Sequence, residues 1–115
     1  KGPSIVIAYS PCINHGLRKG MGKSQIEAKL AVECGYWTLL RFDPRRAEQG
    51  LNPLQIDSKE PNWDLYDEYL MGETRYAQLK NINPAKAEEL LAVNKAEAKR
   101  RYAMYQKYLQ MDYSK

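Results

Sequence analysis

What most constrains this chain is an uninterrupted apolar run, Ile5-Val6-Ile7-Ala8-Tyr9, that stops abruptly at Ser10-Pro11-Cys12. It gives way to a glycine-rich, basic stretch, Gly16-Leu17-Arg18-Lys19-Gly20-Met21-Gly22-Lys23. A run that does not alternate polar with apolar residues reads as a strand covered on both faces, the kind found inside a parallel sheet. Helical periodicity begins directly after the basic stretch. Strand, loop and helix in that order place Cys12 at the carboxyl end of a strand, the edge at which open α/β sheets collect their ligands.

Gly22-Lys23-Ser24 resembles the tail of a phosphate-binding loop, but the spacing is wrong. A loop of the form GxxxxGK[ST] needs its first glycine where this chain has Leu17, and Gly16 stands one residue out of register. Ser24-Gln25-Ile26-Glu27 has a plainer use as a capping box, in which hydroxyl and carboxylate satisfy the open N–H groups of a helix start. The spacing predicts a helix over residues 25–34 with Ile26, Leu30, Ala31 and Cys34 on its apolar face and Gly35 as its C-cap. Cys34 then packs as a small hydrophobe. Tyr36 to Phe42 reads as a second strand, stopped by Asp43-Pro44. Strand, helix, strand makes a βαβ unit with parallel strands and a right-handed crossover.

Asp43-Pro44-Arg45 should turn the chain into a surface connection. Within it, Leu54 and Ile56 alternate as in one short edge strand. From Asn62, a capping residue followed by Asp64, Asp67 and Glu68, the pattern is helical. Trp63, Tyr66, Tyr69, Leu70, Tyr76 and Leu79 form its buried side, with Gly72 as a break. Asn83-Pro84 opens a last helix whose seam, Ala87, Leu91, Ala98, Tyr105 and Tyr108, is interrupted by Asn94 and Arg101. Its other side carries Lys95, Lys99, Arg100, Arg101 and Lys107. That side reads as a solvated face; docking of an acidic electron carrier and binding of nucleic acid are the functional alternatives. The expected class is therefore α/β, with a βαβ portion and its linker over residues 1–61 and a helical carboxyl-terminal region of the same domain over 62–115.

With 115 residues, 43% of them hydrophobic, the chain can bury one modest core. No apolar run approaches the roughly twenty residues that cross a bilayer, and Lys1-Gly2-Pro3 shows no signal-peptide pattern, so no membrane association is expected. The net charge of +4 permits an acidic partner without selecting one. Two cysteines with no secretion signal suit a reducing, cytoplasmic setting. A buried-type strand starting almost at once, with no initiator Met before it, suggests a cut end and a piece of a longer protein.

The segments SIVIAYSPCINHGLRKGMGKSQ, GYWTLLRFDPR, GLNPLQIDSKEP and YLMGETRY together resemble the carboxyl-terminal part of the pyruvate:ferredoxin (flavodoxin) oxidoreductases, and the likeness weakens after about Leu91. The resemblance implies an α/β domain of the type that binds thiamine diphosphate. It also implies an enzyme that oxidatively decarboxylates pyruvate, delivers acetyl to coenzyme A and passes electrons through 4Fe-4S clusters to ferredoxin or flavodoxin, as a homodimer when full length. In that family the cysteine of the YxxCIN segment ligates the cluster nearest the thiamine, which puts Cys12 in that role. A lone cysteine specifies no metal site by itself, because the strong iron-sulfur signal is a run of closely spaced cysteines. If Cys12 holds iron, the loop Ile13-Asn14-His15-Gly16 is placed to hydrogen-bond around it. Asn14 reads equally as such a donor and as a plain turn former. His15, the only histidine, reads as a structural or hydrogen-bonding residue rather than an acid-base catalyst. The family's thiamine and magnesium contacts come from a GDG-type segment that does not occur here, so no such ligand is assigned. The chain alone is expected to be inactive and to hold no cofactor.

Overall fold

The computed structural model describes residues 2–12 and 20–114, and among them helices carry the fold. One turn of 3-10 helix, Met21–Lys23, leads into α1, Ser24–Glu33. The expected capping box does not form: the N-cap position is Lys23 and makes no side-chain bond, while Glu27 is buried, 1% exposed. The buried stripe of α1 is Glu27, Leu30, Ala31 and Cys34, and Ile26, expected on that face, is half exposed. The spacing i, i+3, i+4, i+7 still defines one helical face, shifted by a residue at its start. Gly35 ends the helix in the left-handed region at φ 91°, as expected of a C-cap.

The expected parallel βαβ unit is replaced by an antiparallel pair. β1, Leu40–Phe42, pairs with β2, Leu54–Ile56, with Arg41 opposite Gln55. The predicted second strand is shortened at its start because the Trp37 N–H donates to the Ala31 carbonyl (3.0 Å), which bends residues 36–39 onto α1. Residues 5–8 form no strand and are exposed, Ile5 by 84%, Val6 by 89% and Ile7 by 72%. A strand needs a ladder for its N–H and C=O groups, and the three residues of β1 give theirs to β2.

Between the strands the chain forms a short helix that sequence periodicity does not show, α2, Arg45–Glu48. It starts at the expected turn. Asp43 Oδ1 accepts from the Arg45 backbone N–H (3.1 Å), and the Arg45 guanidinium pairs with the same carboxylate, pulling its pKa down to about 2. Asn52 Nδ2 donates to the Tyr108 carbonyl (2.7 Å) and ties this hairpin to the last helix.

Asn62 Oδ1 accepts from Asp64 N–H (3.2 Å) and opens a 3-10 turn, Trp63–Leu65, that runs into α3, Tyr66–Gly72. The chain breaks at Gly72 as expected. Glu73 is extended (φ −88°, ψ 118°) and α4, Thr74–Ile82, follows. A Cβ on Gly72 would stand 2.5–2.9 Å from the Glu27 carboxylate, so a glycine lets α3 close on α1 there. Asn83 caps α5, Pro84–Leu109, by accepting from Lys86 N–H (3.1 Å), with Pro84 at the first helical position. At 26 residues α5 is about 39 Å long and sets the long axis of a body 55 Å in extent.

The core is where α1, α3 and α5 meet: Leu30, Ala31 and Cys34, then Tyr66, Tyr69 and Leu70, then Ala98. Asn94, which interrupts the apolar seam of α5, accepts the hydrogen bond of the buried Tyr66 hydroxyl. Among the described residues no helix is long and apolar enough to cross a membrane.

Candidate functional site

Although residues 5–8 make no ladder, the segment they belong to is fixed at its far end by Tyr9. The Tyr9 ring stacks on Trp37 (centroids 5.5 Å, 28°) and meets Tyr36 edge-on (5.8 Å, 61°), and its hydroxyl hydrogen-bonds that of Tyr69. Burial raises the Tyr9 pKa, and the negative charges of Glu73 and Glu27 add to the effect. Pro11 is buried and Cys12, next to it, is half-buried. The apolar run therefore delivers Cys12 to the body of the protein through aromatic docking rather than through a sheet. Asn14 and His15 lie outside the described residues, as do the loop cations Arg18 and Lys19.

The second cysteine plays the expected structural part. Cys34 is fully buried, its Sγ donates to the Ala31 carbonyl (3.6 Å), and burial pushes its pKa up to about 11. No disulfide joins it to Cys12. Among the described residues no three His, Cys, Asp or Glu side chains gather as metal ligands would. A 4Fe-4S cluster takes four thiolates, and with Cys34 committed to the core these residues offer one, Cys12.

Sequence reasoning missed two carboxylates. Glu27 is 1% exposed and Glu73 7% exposed, and among the described residues Glu73 Oε1 has no hydrogen-bond partner. Glu27 was findable, since it stands in i, i+3, i+4, i+7 relation to Leu30, Ala31 and Cys34; Glu73 follows a helix break and belongs to no periodic pattern. Burial raises the Glu73 pKa, and Arg75 only partly offsets it. The folded state thus keeps a proton that the unfolded chain gives up. Stability from this group is complete below the ordinary carboxylate range and is lost as pH rises through the raised folded value. Glu73→Gln should accordingly match the parent chain in acid and exceed it in stability at neutral pH. Urea titrations at both pH values measure this, and an equal loss at both would contradict it.

The basic side of α5 is partly neutralised within the chain. Lys95 pairs with Asp67 (3.7 Å), Arg100 with Glu97 (2.8 Å), and the Lys99 ammonium lies 5.8 Å from the centroid of the Trp63 ring. This arrangement fits a solvated surface better than a phosphate-binding one.

No family model matches the chain. Individual relatives do. A pyruvate:ferredoxin oxidoreductase of Moorella thermoacetica is 52% identical over 106 residues, covering 92% of this chain and 9% of the relative. A pyruvate-flavodoxin oxidoreductase of Klebsiella pneumoniae is 47% identical over the same shares. A mitochondrial pyruvate dehydrogenase [NADP(+)] of Euglena gracilis is 43% identical over 109 residues, 95% of this chain and 6% of the relative. The chain thus spans less than a tenth of the length of these curated relatives. It is in the pyruvate:ferredoxin and pyruvate-flavodoxin oxidoreductases, enzymes many times its length, that nine-tenths of this sequence finds its counterpart.

Proposed function

We propose that the chain is the carboxyl-terminal part of a pyruvate:ferredoxin (flavodoxin) oxidoreductase and that Cys12 supplies one thiolate to a 4Fe-4S cluster completed by the rest of that polypeptide. The observation that carries this is the 52% identity over 106 of 115 residues; at most nine residues (115 − 106) lie outside the match, so it takes in position 12. The whole enzyme would convert pyruvate to acetyl-CoA and CO2 on thiamine diphosphate and magnesium held elsewhere and reduce ferredoxin or flavodoxin. We place it in the cytoplasm, as a homodimer. The piece alone is inactive.

When bound, such a cluster accepts and passes on single electrons, with a potential that depends on hydrogen bonds to sulfur and on burial. The part of this chain is to hold one corner. Tyr9, clamped by Trp37, Tyr36 and Tyr69, sets the backbone three residues before the thiolate, and the buried Pro11 limits how far Cys12 can move. Asn14 and His15 remain the proposed hydrogen-bond donors around the cluster. The exposed run Ile5-Val6-Ile7 is proposed to become a strand of a sheet built by the remaining polypeptide; its exposure supports that reading.

In the full-length enzyme Cys12→Ala should leave pyruvate and thiamine binding intact while iron content falls and ferredoxin reduction is lost. Normal iron content together with undiminished ferredoxin reduction would refute the assignment.

A further inference from the structure

The aromatic residues of this molecule are unevenly chosen. Of twelve, nine are Tyr, two are Trp and only one is Phe. That one, Phe42, is 66% exposed, so no phenylalanine serves the core. A core that needs only packing is more cheaply filled by phenylalanine, because each buried phenol must find a hydrogen-bond partner. Here Tyr66 and Tyr69 are buried to within 1% with their hydroxyls attached, and burial raises the pKa of both. Phenol and indole differ from benzene in one further respect: they give up a single electron far more readily.

The rings are also in sequence. Tyr9, three residues from Cys12, lies 5.8 Å from Tyr36. Tyr36 lies 6.2 Å from Tyr66, Tyr66 lies 6.3 Å from Trp63, and Trp63 lies 6.1 Å from Tyr102 on α5. These are centroid separations at which neighbouring rings touch. The path crosses the core from the Cys12 end to a half-exposed tyrosine on the outer helix. Each of its first three phenols has a partner along which a proton can shift: Tyr9 with the Tyr69 hydroxyl, Tyr36 with the Tyr76 hydroxyl (3.4 Å), and Tyr66 with Asn94 Oδ1.

From this geometry and composition we infer that Tyr9, Tyr36, Tyr66, Trp63 and Tyr102 form a relay that carries oxidising equivalents from the neighbourhood of Cys12 to the surface of α5. A one-electron oxidant of the peroxyl-radical class arising beside Cys12 takes an electron from Tyr9 and a proton from solvent and is reduced to the hydroperoxide. Each ring is then refilled by the next one outward. A tyrosine that loses an electron lets its O–H proton move along the hydrogen bond and recovers it with the returning electron, so no atom is gained or lost inside the relay. The last vacancy, on Tyr102, is filled by a one-electron reductant of the ascorbate class from solution, which is itself oxidised. The relay protects the thiol end of the molecule, and it does not depend on Cys12 binding iron.

The test uses the 115-residue chain with a ruthenium(II) polypyridyl complex coupled to the half-buried Cys12 thiol, Cys34 being fully buried. A Trp37→Phe background leaves Trp63 as the only tryptophan. A laser flash with a cobalt(III) ammine quencher generates the ruthenium(III) oxidant, and transient absorption reports the tryptophanyl radical. We expect the Trp63 radical to form, to be lost in both Tyr36→Phe and Tyr66→Phe, and to persist longer in Tyr102→Phe. Phenylalanine keeps the ring and removes the oxidisable phenol together with its hydrogen bond, so a role in packing and hydrogen bonding alone would leave the radical yield of the folded chain unchanged. Equal yields in the Tyr36→Phe and Tyr66→Phe chains, each folded by circular dichroism, would overturn the relay.

Discussion

Gly35→Ala should destabilise the folded chain by about 2–5 kcal/mol, enough to unfold much of a marginally stable protein. Two independent effects add. Gly35 sits at φ 91°, where an L side chain strains the backbone by about 1–2 kcal/mol. Its Cβ would also stand 2.5 and 2.6 Å from two atoms of the Trp63 ring and 2.9 Å from Pro61 Cβ. That indole cannot simply turn away, because it is wedged between Tyr66 and Tyr102 with Lys99 above it. Overpacking of this kind costs about 1–3 kcal/mol. Urea denaturation followed by near-ultraviolet circular dichroism reads both the loss of stability and the displacement of Trp63. A midpoint indistinguishable from that of the parent chain would mean that the junction between α1 and the 3-10 turn is looser than described.

Tyr66→Ala should cost about 3–5 kcal/mol, the range for removing a buried aromatic ring. Tyr66 is fully buried where α1, α3 and α5 converge, in contact with Tyr36 and Trp63, and its hydroxyl is bonded to Asn94. Tyr66→Phe keeps the ring and removes only the donor, leaving the half-buried Asn94 side chain unanswered, and should cost about 1 kcal/mol. The pair of variants separates packing from hydrogen bonding, provided the denaturant slope is unchanged. Similar small losses for both would contradict the placement of Tyr66 at the centre of the core.

The helical half was readable because its signals are local. Asn83-Pro84 satisfies the open N–H groups of a helix start whatever lies around it, and Gly72 and Gly35 mark places where the backbone must depart from a helix. Leu54 and Ile56 alternated as an edge strand and form one. The sheet was misread because pairing is not local. Ile5-Val6-Ile7 announces a need for burial but carries no record of which strand would meet it, and the N–H of Trp37 was lost to α1 rather than to a ladder. Glu27 and Glu73 were passed over because charged residues are assigned to solvent by default; helical spacing put Glu27 on the buried face, where Gly72 closes on it, whereas Glu73 follows a helix break and carries no such signal. The role proposed for Cys12 came from motif resemblance, since one thiol is chemically mute about its ligand.

Asn94 acts as an index mark along α5. Sliding that helix by one turn, about 5.4 Å, would present Leu90 or Ala98 to the Tyr66 hydroxyl, and neither side chain can accept its proton. An all-apolar stripe would tolerate several such positions almost equally. A single amide facing a single phenol makes one longitudinal setting cheaper than the rest, and with it decides which residues of the outer helix, Tyr102 among them, come to lie over the aromatic core.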